Sequence, residues 1–170
     1  TIIPPNVNIC MPEFYSKDKQ TILYGLAAIK NVGYNAAEKL VQYREKHGPF
    51  TSMFDLCKIN TQSINRKVLE SLVQAGACDS LEGSRAEQFI TVNEALKFGQ
   101  KYQDDFHSSQ VNLFSQNDET LSPQKLKTHI WDNSELLKRE KSVLGFYMSG
   151  NPLSKYADEI NFLKSILLLP

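Results

Sequence analysis

The chain has 170 residues, 41% of them apolar, and its 19 basic and 19 acidic side chains leave no formal net charge. That is enough apolar material for one well-filled core or two small ones, with one main domain plus appendages expected, and the zero balance argues against a histone-like protein that grips nucleic acid by bulk charge alone. No apolar run approaches a membrane span, and three widely spaced cysteines lack the CxxC or Cys/His pairing of a zinc site, so a reducing cytoplasm and no membrane are expected.

Residues 1–24 carry Pro4-Pro5, a polar turn at Ser16–Gln20 and the β-favouring run Thr21–Tyr24. They predict a short strand pair that either completes a sheet supplied by other residues or packs against the helices behind it. Next comes Gly25-Leu-Ala-Ala-Ile-Lys-Asn-Val-Gly33. Leu26, Ile29 and Val32 converge on a short polar turn, and a helical pattern restarts at Ala36, Ala37, Leu40 and Val41, which reads as helix, hairpin, helix. Asn31 and Gly33 both tolerate left-handed backbone angles, so the turn can be tight enough to aim the first free N–H groups of the second helix outward. The amides of Gly33, Tyr34 and Asn35 would carry the positive end of the helix dipole, with Lys30 and Lys39 adding full charges. Lys30, Asn31, Val32, Gly33, Tyr34, Asn35 and Lys39 are therefore candidate contacts to a nucleic-acid phosphate, a mode that reads backbone rather than bases.

The helix of that motif should run from about Asn35 to Lys46 and stop at Gly48-Pro49. Thr51 or Ser52 should cap a short helix through Phe54, Leu56 and Cys57, and Asn65 a further one with Val68, Leu69, Leu72 and Val73 on its apolar face. Ala75-Gly-Ala77 ends it. Ser84-Arg-Ala-Glu87 has capping-box spacing and should start a long helix with Ala86, Phe89, Ile90, Asn93 and Leu96 facing inward. This second, more degenerate hairpin adds Lys67, Gly76, Ser84 and Arg85 to the candidate DNA contacts, and makes residues 25–103 a tandem helix-hairpin-helix domain.

From residue 104 to 130 periodicity is lost and Ser, Asn, Gln and Asp dominate, which predicts a flexible linker. One apolar island stands in it, Gln110-Val111-Asn112-Leu113-Phe114, whose two large side chains have no local core and need a partner surface. In residues 131–170, Trp131 should staple onto Leu136 around an Asp132 cap, launching a helix to about Met148 that ends at Gly150-Asn-Pro152. The tail at Ile166–Pro170 reads as a strand or helix cut short. The fold class is thus mainly α: a tandem helix-hairpin-helix domain preceded by a short strand pair and followed by a flexible linker and a further helix. His47, His107 and His129 lie apart with no nucleophile or carboxylate pattern around them, so no catalytic residue is assigned, and Lys138, Arg139 and Lys141 read as the wet face of a helix.

Tyr24–Gly33, Gly48-Pro-Phe-Thr-Ser-Met-Phe-Asp-Leu-Cys57, Asn65–Glu70 with Ala75–Asp79, and Glu140-Lys-Ser-Val-Leu-Gly-Phe-Tyr-Met-Ser-Gly-Asn-Pro-Leu153 resemble, in this order, the alpha subunits of bacterial DNA polymerase III, the replicative C-family polymerases. The resemblance runs over nearly the whole chain. It implies that residues 1–24 end a fingers domain, that 25–103 hold duplex DNA behind a polymerase site, and that 131–170 lead toward an OB-fold domain. It implies that Gln110 to Phe114 dock on the sliding clamp, the beta subunit, and that other replicase subunits are partners. Asn31 stands where the family usually has Gly. The palm aspartates that hold Mg2+ in this family have no counterpart here, so no cofactor is expected in this chain and it should not polymerise by itself. The rival readings are a helix-hairpin-helix domain of a repair nuclease or ligase, and a helical protein-interaction adaptor.

Overall fold

A computed structural model of the chain describes residues 1–59, 62–107 and 130–167. The N-terminal piece holds three short strands, β1 (Ile2–Ile3), β2 (Tyr15–Asp18) and β3 (Thr21–Leu23), in the order β1-β3-β2. The expected pair is β2–β3, antiparallel around Asp18–Gln20, and β1 joins it in parallel with Ile2 opposite Ile22. This piece packs on the helices. Val7 and Cys10 are fully buried, the Val7 amide donates to the Ala77 carbonyl at 2.9 Å, and Asn8 exchanges two hydrogen bonds with the Phe50 backbone at 2.8 and 2.9 Å.

The helices are α1 (Tyr34–His47), α2 (Met53–Cys57), α3 (Arg66–Gln74), α4 (Arg85–His107), α5 (Asn133–Leu144) and α6 (Ala157–Leu167). Their starts follow local chemistry. Ser52 and Asp55 form a reciprocal capping box at α2, the Asn65 side chain accepts from the Val68 amide at α3, and the Asp132 side chain accepts from the Glu135 amide at α5. At α4 the Glu87 carboxylate accepts from the Ser84 amide and hydroxyl at 2.7 and 2.8 Å. Helix α3 ends as the residues dictate: the Ala77 amide reaches the Leu72 carbonyl and the Gly76 amide the Val73 carbonyl, with Gly76 at φ 77°, a Schellman closure.

One core runs through the molecule, with Leu26, Leu40, Leu56, Ile64, Leu69 and Leu72 all fully buried. Burying side chains of this size contributes about 1.5–3 kcal/mol each. Several expectations need correction. The residue run before the first turn is one 3-10 turn at Leu26–Ala28 rather than an α-helix. Helix α4 continues to His107, past the expected start of the linker, and its inward face is Ala86, Gln88, Thr91, Val92, Ala95 and Gly99, while Ile90 and Asn93 are exposed. The cause is the neighbour across the interface: a Cβ on Gly99 would overlap the Cys57 carbonyl oxygen, so α2 crosses α4 where side chains are smallest. Helix α5 stops at Leu144 because Gly145 turns left-handed there at φ 87°, well before Gly150. Trp131 lies edge-on to Phe89 of α4 with the Arg139 guanidinium 4.4 Å from its ring centre, so it joins α5 to α4. Val143 and Leu144 enter the same core as the preceding helices. The tail from Ala157 to Leu167 is helical.

Candidate nucleic-acid interface

The turn between Leu26 and α1 is built from the inside out. Leu26, Ile29 and Val32 are each at most 2% exposed and pin it to the core, which leaves the Val32 side chain as an anchor and not a surface contact. Asn31 takes the left-handed conformation at φ 66°, and its Nδ2 donates to the hydroxyl of Ser71 on α3 at 3.0 Å. Gly33 does not: at φ −71° and ψ 160° it is extended backbone open to any residue, and an added Cβ would meet nothing within 4 Å. The expectation that Gly33 supplies a left-handed angle is corrected; Asn31 alone bends this turn backwards.

Helix α1 then starts without a cap. No side chain accepts from its first amides, no acid lies in its first turn, and among the described residues the amides of Gly33, Tyr34, Asn35 and Ala36 have no acceptor. Helices α2, α3, α4 and α5 all begin on a capping side chain. Gly33, Tyr34 and Asn35 are exposed, so the unspent donors and the positive end of the α1 dipole face solvent. On the Lys30–Asn31 side of the turn opens a cleft of about 340 Å³ that includes Lys30, Asn31, Lys67, Glu70, Ser71, Gln74 and Ser142 in its walls. Lys30, Lys39 and Lys67 are exposed and form no ion pair among the described residues. The one acid in that cleft, Glu70, accepts from Arg66 Nε at 2.7 Å, which offsets its charge. The first hairpin thus carries unpaired main-chain donors at the start of α1 and, three residues before the N-cap Gly33, Lys30, which shares a cleft with Lys67; amides and ammonium groups are the donors that bind phosphate.

The second hairpin is unlike the first. Arg85 donates to both oxygens of Asp79, through Nε at 2.7 Å and Nη2 at 2.6 Å, and its Nη1 lies 3.6 Å from Glu140 Oε1. Its side chain is 13% exposed. Burial pulls the guanidinium down, but Asp79 and Glu140 outweigh it and hold its pKa above the ordinary value. Ser84 is spent on the Glu87 box, and a Cβ on Gly76 would run into the Arg85 guanidinium. Gly76, Ser84 and Arg85 are thus brought together as an internal brace, while Lys67 joins the first hairpin. Sequence reasoning missed Ser71, Ser142 and Glu140 as parts of the site, because the partners that bring them to it, Asn31, Gln74 and Arg85, lie far away in the chain.

Among the described residues no group of three or more His, Cys, Asp or Glu side chains is placed to hold a metal ion. The island Gln110–Phe114 lies outside the described residues. Cys10, Cys57 and Cys78 are free and buried, and burial pushes the Cys57 thiol up to about 12. No described helix is long and apolar enough to cross a membrane.

A helix-hairpin-helix motif family matches residues 1–88. Among curated proteins, the chain is similar to the DNA polymerase III subunit alpha of Buchnera aphidicola subsp. Schizaphis graminum, 36% identical over 95% of this chain, and to those of Neisseria meningitidis serogroup A, 34% over 93%, and Escherichia coli K12, 32% over 94%. The chain spans 14% of the length of each of these relatives.

Proposed function

The chain belongs to the helix-hairpin-helix motif family, and from that premise we propose that it holds duplex DNA by its phosphates within a replicative polymerase and ties that polymerase to its sliding clamp. The observation that carries the DNA reading is the uncapped start of α1, whose amides and neighbouring Lys30 and Lys67 have no internal use. One hairpin does the holding: a phosphate seats on the amides of Gly33 to Ala36, Lys30 and Lys67 flank it, and Lys39 meets a neighbouring one. Contacts of this kind carry no sequence preference. The adaptor reading leaves those amides idle, and the nuclease or ligase reading needs catalytic side chains that this arrangement does not use.

Salt dependence tests it. Each neutralised phosphate contributes about 0.9 to the slope of log affinity against log salt, so Lys30→Ala should flatten the slope by roughly one unit while Arg85→Lys leaves it unchanged. An unchanged slope for both Lys30→Ala and Lys67→Ala refutes the interface.

The clamp reading rests on Gln110–Phe114 and on the similarity to polymerase alpha subunits. A linker-borne peptide on a ring around DNA works by effective concentration, which makes each dissociation local and reversible. Calorimetry should show the clamp binding weaken by roughly a hundredfold or more on Leu113→Ala with Phe114→Ala, two apolar side chains at roughly 1.5–3 kcal/mol each, with duplex binding unaffected. Equal affinities would remove the clamp from the reading. The polymerisation chemistry, its Mg2+ and the other replicase subunits belong on this reading to the rest of a cytoplasmic enzyme, and this chain alone incorporates no nucleotide.

A further inference from the structure

Helix α5 lies outside the matched motif, yet it touches the phosphate-binding turn directly. The Lys30 amide donates to the Val143 carbonyl at 3.0 Å, and the Ser142 hydroxyl reaches Gln74 of α3 at 3.3 Å across the same cleft. Val143 sits in the last turn of α5, where carbonyls lack helical partners, so the bond satisfies a terminal acceptor and fixes the residue at which the turn begins. Besides the core contacts of Val143 and Leu144 and the Trp131–Phe89 contact, α5 is held by Glu140, one turn earlier and 1% exposed. Its Oε2 accepts from the amides of Met148 and Ser149 at 2.8 and 3.0 Å and from the Ser149 hydroxyl at 3.1 Å, which folds the chain after Gly145 back under the helix. Its Oε1 faces Arg85, itself locked to Asp79.

We propose that Glu140 is a positioning residue for DNA: through Arg85 and the 148–149 turn it seats the end of α5 so that Val143 holds the Lys30 main chain, and thereby sets the first hairpin in its phosphate-binding shape. This rests on the phosphate reading of that hairpin. The chemistry is specific to a carboxylate. The buried carboxylate accepts three hydrogen bonds on one oxygen and sets its negative charge 3.6 Å from the Arg85 guanidinium with the other, whereas a glutamine has no charge, one acceptor oxygen and an NH2 that must face donors or a cation on one side or the other. Glu140→Gln therefore loosens either the 148–149 turn or the Arg85 side, and both routes free the end of α5. The expected direction separates positioning from plain electrostatics. Removing a negative charge from a DNA-binding protein by itself strengthens binding, while releasing the Lys30 turn weakens it.

The test uses the whole chain, with Glu140→Gln and the milder Ser149→Ala, which deletes one of the three bonds at Oε2 and keeps the fold accessible if the first variant does not fold. Hydrogen exchange of the Lys30 amide, measured by NMR without DNA, should accelerate in both variants, while the Ala37 amide, bonded to Gly33 inside α1, keeps its rate. Affinity for a short duplex should fall about five- to tenfold in Glu140→Gln, less in Ser149→Ala, with the salt slope of the parent retained because no phosphate contact is removed. An unchanged Lys30 exchange rate, or a faster one with undiminished affinity, overturns the proposal. Failure of the parent chain to bind duplex at any salt is a different result: it removes the phosphate reading itself, and the exchange rates still report whether Glu140 controls the turn.

Discussion

Replacing Asn31 separates the two jobs that this residue performs in the turn. Its backbone is left-handed at φ 66°, and its side chain donates to the hydroxyl of Ser71, a residue 3% exposed. An ordinary L-residue in that conformation costs roughly 1–2 kcal/mol, and asparagine escapes part of it through its short polar side chain. A hydrogen bond of this kind contributes about 1 kcal/mol net. Asn31→Ala loses both and should destabilise the chain by about 2–3 kcal/mol. Asn31→Gly keeps the backbone angle free of strain and loses only the bond and some unfolded-state entropy, so about 1–2 kcal/mol is expected. The alanine variant must be worse by about 1 kcal/mol, a further 2–4 °C in melting temperature for a chain of this size. Ser71→Ala should cost about 1 kcal/mol alone and almost nothing on top of Asn31→Gly, since the pair shares one bond. Urea titration at constant slope with denaturant is the assay. Equal losses for Asn31→Ala and Asn31→Gly would refute the claim that a left-handed residue bends the turn, and additive losses for the Ser71 pair would refute the bond.

Gly99→Ala should destabilise by about 1–2 kcal/mol although alanine is the better helix former, because the new Cβ overlaps the Cys57 main chain and not a movable side chain; a neutral or stabilising result in thermal melts would show that α2 yields freely. Asp55 accepts from Thr51, Ser52 and Lys58, and although burial pushes its carboxyl up, the bonds from Lys58 and Thr51 hold it far below the usual carboxylate range. Its folded pKa is depressed, so the stability it contributes is full above the unfolded value of about 3.9 and is lost as pH falls below it. Asp55→Asn should therefore lower stability at neutral pH and flatten the acid side of the stability-against-pH curve, and a parallel curve would contradict that linkage.

What was legible in the sequence was local chemistry. Ser52, Asn65, Ser84 with Glu87, and Asp132 each announce a helix start because a cap needs only its own residue and the amides two or three positions on. The free first amides of α1 were legible for the same reason, since no capping side chain stands before Tyr34. What was not legible depends on contacts remote in sequence. The inward face of α4 is chosen by α2 pressing at Gly99 and by Gln88, whose Nε2 donates to the carbonyls of Cys78 and Gly83 at 2.9 and 3.1 Å, so a buried polar residue displaced Ile90 from the core. Arg85 carries a charge that any reading by type assigns to a ligand; only the fold shows Asp79 and Glu140 waiting for it. The stop of α5 was expected at Gly150-Asn-Pro152, but Leu144 is buried in the core and Gly145 turns left-handed after it, so the helix ends there.

The inequality of the two hairpins follows from one choice made at each helix start. A helix N-terminus either spends its free amides on a side chain of its own chain, which contributes about 1 kcal/mol, or keeps them for a ligand and forgoes that stability. At α4 the Ser84–Glu87 box takes the first course, and a carboxylate at that end both cancels the dipole and repels a phosphate. At α1 no side chain takes the amides: Ala36, Ala37, Leu40 and Val41 bury the helix despite the missing cap, and on the proposed reading its amides stay open for a phosphate. The braced hairpin and the open one are then complementary parts. Arg85, fixed by Asp79 on its own hairpin, anchors Glu140; Glu140 seats the end of α5; and Val143 of α5 meets the Lys30 amide of the other hairpin. If the first hairpin holds duplex as proposed, the chain keeps one set of donors rigid and unpaired by committing the other set to internal bonds.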